Sequence, residues 1–308
     1  MKQVAITGSV AFDTIMVFPG RFGDHVLPDK THMISVSFLV NQLEKHRGGT
    51  AANVAYTMAL HGERPLLCAA VGHDFGSYGE ALSAAGVDVS TALQFQDIPT
   101  ASAFITTDLD DNQIAAFYPG AMGRDGQVDL RLHADAIDTV VVAPSAPDAM
   151  EAHIAQARSL GARLVFVPAQ QIPSLSDETL RGGLEAAWMV VGNDYELELI
   201  RARTGMSPED MRRRGTLVAL TRGDQGSELH SADGVVRIPA AAPVAVVDPT
   251  GAGDAYVAGL LAGLRRGLPL EDAGRVGALS ATYCVEQRGP QGHRFDAEGF
   301  AQRYAEAF

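Results

Sequence analysis

The chain has 308 residues, 46% of them apolar and 20% charged, enough to bury a sizeable core in one large α/β domain and unlike a disordered segment. Its formal charge of −13 argues against nucleic acid and an anionic membrane surface as partners, because both need a basic field. ATP stays admissible, since backbone N–H groups and a few local cations can hold phosphates on an acidic protein.

Met1-Lys2-Gln3-Val4-Ala5-Ile6-Thr7-Gly8 lacks the long apolar region of a signal peptide, and no apolar run reaches membrane-spanning length. A cytoplasmic protein is therefore expected. Cys68 and Cys284 lie far apart in apolar surroundings and read as reduced core residues.

Val4 to Ile6 forms a short strand ending in Gly8-Ser9, with Asp13 just beyond it. An acidic residue there sits where α/β sheets place ligands, outside the carboxyl ends of the strands; a turn-capping Asp is the alternative. From Phe12 to Val40 no helical period occurs, and Ile34, Val36, Phe38 and Val40 alternate with Ser35, Ser37 and Leu39 as in a half-buried strand. Ala103–Thr107 and Ile114–Tyr118 form a second such patch around the turn sequence Asp110-Asp111-Asn112. Together they predict a small β-sheet lid, inserted at about 12–45 and 95–120, that closes over substrate or packs on a second copy. An exposed lid sheet favours a homodimer through that sheet.

Between the patches, His46-Arg47-Gly48-Gly49-Thr50-Ala51-Ala52-Asn53 opens an alanine-rich helix. The glycine pair exposes backbone N–H groups, and Asn53 can donate and accept; close packing of a small-residue helix is the alternative. After Gly120, strands at 140–143, 164–167, 189–191 and 217–220 alternate with helices near 147–160, 175–186, 194–203 and 207–214. This predicts an α/β fold, a doubly wound, mostly parallel sheet with helices on both faces, as one domain over 1–308.

Polar residues cluster after those strands. Val167-Pro168-Ala169-Gln170-Gln171 offers two amides for the polar edges of a ligand. Gly192-Asn193-Asp194-Tyr195-Glu196 is close to a capping box, and Thr221-Arg222-Gly223-Asp224-Gln225-Gly226 follows the strand at 217–220. Val244 to Val247 reads as a strand feeding Asp248-Pro249-Thr250-Gly251-Ala252-Gly253-Asp254, with helical spacing after it. Such a helix start is an anion site, and Asp254 in its first turn suits removal of a proton from a hydroxyl attacking a phosphoryl group. The alternative is structural: Thr250 caps and Asp254 complements the dipole. No G-x-x-x-x-G-K-[ST], G-x-S-x-G or H-E-x-x-H string occurs, and His61 and His293 read as structural or solvated.

The string D-P-T-G-A-G-D-A-Y-x-A-G resembles the second signature of the ribokinase (PfkB) family of carbohydrate and nucleoside kinases. That resemblance implies a ribokinase-like fold, Asp254 as catalytic base, and the N–H groups of Gly251, Ala252 and Gly253 as stabilisers of the transferring phosphoryl. Gly48-Gly49 with Asn53 resembles the first signature, which implies binding of substrate hydroxyls together with Asp13. Asn193 and Glu196 match the family's N-x-x-E, which organises Mg²⁺ near the phosphates. Thr221, Gly223 and Gly226 match T-x-G-x-x-G at the ATP phosphates; Gln225 stands where many members carry lysine, which turns attention to Arg222. Some members need a monovalent cation such as K⁺ near residues matching Asp248 and Arg288-Gly289.

The motifs span essentially the whole chain in the family's order. Ser35–Val40, Ala116–Met122 and His46–Gly49 are similar to strings of bacterial adenosine kinases and archaeal nucleoside kinases, which implies ATP-dependent phosphorylation of the adenosine 5′-hydroxyl to AMP and ADP. Phe38, Phe104 and Phe117 can then wall a purine and Gln170 or Gln171 read its edge, with Ser9 and Ser37 completing the candidate substrate site. A ribokinase- or fructokinase-like sugar kinase and a silent nucleoside-binding sensor stay as alternatives, and the aromatics can equally be filling the lid sheet.

Overall fold

The structure, a computed structural model, describes residues 2–25, 37–110 and 112–308. In chain order, β1 (Gln3–Thr7), β2 (Ala11–Val17) and β3 (Gln42–Gly48) precede α1 (Thr50–Leu60). Then come β4 (Leu66–Cys68), β5 (Ala70–Val71), α2 (Gly76–Ala85), β6 (Leu93–Gln94), β7 (Ala101–Thr107) and β8 (Gln113–Tyr118). The regular half runs β9 (Ile137–Val142), α3 (Pro147–Ser159), β10 (Arg163–Phe166), α4 (Asp177–Ala186), β11 (Ala187–Asn193), α5 (Asp194–Thr204), α6 (Pro208–Arg213) and β12 (Leu217–Thr221). A hairpin of β13 (Ser227–Ser231) and β14 (Gly234–Ile238) is followed by α7 (Ala252–Arg265), α8 (Leu270–Val285) and α9 (Ala297–Ala307).

Among the described residues, eight strands make the main sheet in the order β14-β13-β12-β11-β10-β9-β1-β4. The pairs from β12 to β4 are parallel, and only the β12–β13–β14 end is antiparallel. The apolar runs are continuous because both faces are covered. Val141, Val165, Met189 and Ala219 pack with α1 and α7, while their neighbours Val140, Leu164, Val190 and Val218 pack with α3, α4 and α5. The carboxyl ends of β1, β9, β10, β11 and β12 thus open along one edge, where parallel sheets bind ligands.

A separate sheet has the order β3-β2-β7-β8. Its register sets Asp13 opposite His46 and Ala103, and Ala103 opposite Phe117, so these side chains share one face. Arg288 Nη1 donates to Glu44 Oε1 at 2.6 Å and ties strand β3 to the loop after α8.

Two expectations need correction. The alternation over 34–40 falls partly outside the described residues (34–36), and 37–40 form no strand; the strand paired with β2 is β3, later in the chain. Residues 244–247 are no strand either. Among the described residues they pair with no strand, and the N–H groups of Val247 and Asp248 bond to Val285 O at the end of α8 (2.8 and 3.1 Å). The structural alternative for Thr250 also falls away: the N-cap of α7 is Gly251, with no side-chain bond.

Both cysteines are free and buried. Among the described residues no helix is long and apolar enough to cross a membrane.

Candidate active site

Two cavities meet at the first turn of α7. The first, about 350 Å³, lies between the main sheet and the small sheet and is lined by Ser9, Asp13, Gly49, Asn53, Phe117, Gln170, Gly251 and Asp254. The second, about 530 Å³, lies on the other side of that turn and takes in Thr221, Gly223, Gly226, Ala252 and Gly253. Its remaining wall is mostly small and apolar, from Ala240, Pro243, Val246, Ala278, Ala281 and Val285.

The turn between them requires glycine at 251. Its φ is 81°, and a Cβ there would run into Pro290 Cβ. Asp248 stitches this loop, accepting from Thr250 N–H and Gly289 N–H at 2.9 Å each. With no side-chain cap, α7 keeps first-turn N–H groups free for an anion, although that of Ala252 is drawn back to Pro249 O at 3.2 Å.

Asp254 stands in that first turn. Its Oδ2 accepts from Asn53 Nδ2 at 2.8 Å. Burial pushes its carboxyl up to about 7; the Asn53 donor opposes this, and Glu196 and Asp13 push the same way as burial. Asp13 is also raised, first by burial, with His46 opposing and Asp248 adding to it.

The glycine pair is dictated by close approach. A Cβ on Gly48 would meet Asp13 Oδ2, and one on Gly49 (φ 91°) would lie 2.6 Å from Ser9 O. Gly48 itself does not line the cavity. Ser9 Oγ accepts from Thr50 N–H at 3.0 Å, so this hydroxyl holds the start of α1 from outside.

Three of the expected substrate residues lie elsewhere. Phe104 pairs with Ala116 and Phe117 with Ala103, so the two rings leave opposite faces of the small sheet and only Phe117 reaches the cavity. Ser37 is exposed and outside the cavity, and Phe38 packs on Phe18 and Phe22. Among the expected nucleotide residues, Arg222 lines neither cavity; it faces Glu228 at 3.6 Å.

Asn193 and Glu196 form a reciprocal capping box at α5 (2.8 and 2.9 Å), with Glu196 Oε1 taking no bond from the described residues. Burial raises the Glu196 pKa. Among the described residues no group of three or more His, Cys, Asp and Glu side chains is placed to hold a metal. A single carboxylate suits a Mg²⁺ ion kept mainly by water and substrate phosphates, so Glu196 and Asn193 fit that kind of site.

Sequence reasoning missed Thr50 and Met122 in the wall, and the strain beside Gln170 and Gln171. Ala169 has φ 41°, a left-handed conformation rare outside glycine, and it turns the chain where both amides enter the cavity.

The model for pfkB family carbohydrate kinases matches residues 9–295. The chain belongs to the PfkB family. It is 34% identical over 296 residues to a nucleoside kinase of Methanothermobacter thermautotrophicus, covering 94% of this chain and 91% of that one. This PfkB kinase is also similar to a solved Burkholderia thailandensis nucleoside kinase. The complex of that enzyme with inosine has a TM-score of 0.88 at 34% identity, covering 99% and 98% of the two chains. Its complex with ADP-inosine has a TM-score of 0.86 at 35% identity, covering 99% and 96%.

Proposed function

We propose that this PfkB kinase transfers the γ-phosphoryl group of ATP to the 5′-hydroxyl of a purine nucleoside, adenosine among them. The observation that carries the reading is the meeting of two cavities at one helix start, with Asp254 open to the first and Gly253 to the second. An acceptor hydroxyl beside Asp254 then faces a phosphoryl group held from across the turn.

Asp13 and Asn53 hold the ribose hydroxyls, and Phe117 and Met122 wall the base. Gln170 and Gln171 meet its polar edge. A carboxamide turned by half a rotation exchanges donor for acceptor, so these residues accommodate the amino group of adenosine and the oxo group of inosine. The nucleoside kinase relatives support a nucleoside over a free sugar.

Asp254 takes the proton from the hydroxyl as it attacks. The N–H groups of Gly251 and Gly253, and of Ala252 once it releases Pro249 O, stabilise charge on the phosphoryl oxygens. Mg²⁺, when bound, neutralises phosphate charge. Thr221, Gly223 and Gly226 keep the phosphate end of ATP at the carboxyl end of β12, and the apolar wall holds its base. A monovalent cation is part of the reading too, because each Asp248 oxygen retains a lone pair; exchanging K⁺ for Na⁺ tests it.

The outward turn of Phe104 favours a second reading, a sugar kinase, since it leaves Phe117 as the one ring among the lid aromatics in the first cavity wall. ADP release with adenosine, inosine, guanosine, cytidine, ribose and fructose decides between them. Turnover of adenosine and inosine is expected; turnover of free sugars alone would overturn the nucleoside assignment.

We also propose that two copies pair through the small sheet. All six residues of its edge strand β8 are exposed, and Phe104, Ile114 and Tyr118 present an apolar face left about half exposed.

A further inference from the structure

A buried hydrogen-bond chain links Asp254 to the glycine pair at the start of α1. Asn53 Nδ2 lies 2.8 Å from Asp254 Oδ2. Gln291 Nε2 lies 2.9 Å from Asn53 Oδ1 and 2.5 Å from the Tyr78 hydroxyl, which is 2.8 Å from Gly48 O. Tyr78, Asn53 and Gln291 are 0%, 5% and 9% exposed, so water cannot replace these partners freely.

Elementary chemistry fixes the direction of every proton. An ionised carboxylate only accepts, so Asn53 must turn its NH₂ to Asp254. Its carbonyl then needs a donor, which makes the facing Gln291 atom the NH₂ as well. The two N–H bonds of that group meet two acceptors, Asn53 Oδ1 and the Tyr78 oxygen. The Tyr78 proton is left for Gly48 O, which can only accept. No member can flip without setting like against like, and each such mismatch in a buried site carries a desolvation penalty.

We propose that Gln291, supported by Tyr78, is a positioning residue that locks the Asn53 amide toward Asp254, engaging Oδ2 and leaving Oδ1 to take the proton from the acceptor hydroxyl. The proposal rests on Asp254 being the base. It also explains why a loop 238 residues from Asn53 in sequence packs against the first turn of α1. The other titratable groups facing Asp254 are Glu196 on α5, Asp13 on β2, Tyr78 on α2 and Cys284 on α8, and replacing Gln291 leaves all four in place.

The test uses Gln291→Leu, Gln291→Glu and Tyr78→Phe in the full-length enzyme. Steady-state kinetics are measured against pH on whichever acceptor the wild type turns over. The Asp254 carboxyl is titrated in the free protein by ¹³C NMR. Loss of the lock in Gln291→Leu is expected to lower kcat by about 10- to 100-fold and to move the acid limb and the carboxyl titration upward by about one pH unit; the acceptor KM rises with it, because Asn53 also holds the ribose. Gln291→Glu should be worse, because a carboxylate at that position pulls the Asn53 NH₂ away from Asp254. Tyr78→Phe should move both readouts the same way but less.

An unmoved Asp254 titration in both Gln291 variants overturns the proposal, whether or not kcat falls, since a purely structural role predicts that pattern. If neither Gln291 variant folds, an unmoved titration in Tyr78→Phe does the same. A wild type that phosphorylates no nucleoside sinks the proposed function alone, because the titration is read without turnover.

Discussion

Asp254 must be charged to accept a proton, yet its surroundings penalise that charge. Burial raises its pKa to about 7, and Asn53, the first opposing influence, keeps it from rising further. A group poised near neutrality is both ionised often enough and basic enough to serve as a general base. Because the ionised form is the active one, kcat/KM is expected to fall about tenfold per pH unit on the acid side of a limb near 7. A flat profile from pH 5.5 to 8 would contradict the assignment. The residues legible in sequence are those whose chemistry lies in one contiguous string, as with Gly251 to Asp254 or Gly49 with Asn53. Gln291 and Tyr78 were not legible, because their role exists only once segments 213 and 238 residues apart are packed together.

At the level of elements, periodicity identified the strands Ala101–Thr107 and Gln113–Tyr118 but could not assign their faces. Facing depends on register, and a one-residue shift exchanges Phe104 and Phe117 between the two sides. Val244 to Val247 misled for a related reason: β-branched residues favour extended backbone, but a strand needs a partner strand, and among the described residues the backbone bonds here go to the end of α8. The hairpin of β13 and β14 likewise went unread; its strands alternate weakly and close the sheet at one edge. The outward face of the small sheet makes its own prediction. Phe104→Lys combined with Ile114→Lys should halve the sedimenting mass while the main fold persists, because two buried charges disfavour a self-complementary apolar contact. A wild type that sediments as a monomer at micromolar concentration would contradict the pairing.

Across the whole molecule, two pairs of buried groups set opposite pH slopes. Burial raises Asp125 and Asp254 from 3.8 to about 7, so the folded chain holds protons that the unfolded chain has released; their contribution is full below about pH 4 and is lost as pH rises through 7. Burial lowers His61 from 6.5 to about 3 and His293 to about 4, so the unfolded chain takes up protons first and stability falls as pH drops below 6.5. Between about pH 4 and 6.5 the two pairs offset each other. Asp125 accepts from Ala70 N–H and from Ser145 Oγ, and Asp125→Asn keeps an acceptor for one of them while removing the titration. That variant should therefore lose Tm more steeply than wild type from pH 6.5 to 5; parallel profiles would show that Asp125 does not titrate in this range. The doubly wound sheet was legible because its apolar runs are buried on both faces, whereas the polar contacts that tune it follow from packing and leave no periodic trace.

The most direct test of the account is the turnover of Asp254→Asn beside wild type, with ATP, Mg²⁺ and the preferred nucleoside, and with nucleoside binding measured separately by calorimetry. The variant keeps the size of the side chain and an oxygen for the Asn53 contact but cannot take the proton. It is expected to bind nucleoside and to lose about 10²-fold or more in kcat. Near wild-type kcat in a folded, nucleoside-binding variant would contradict Asp254 as the base at the junction of the two cavities.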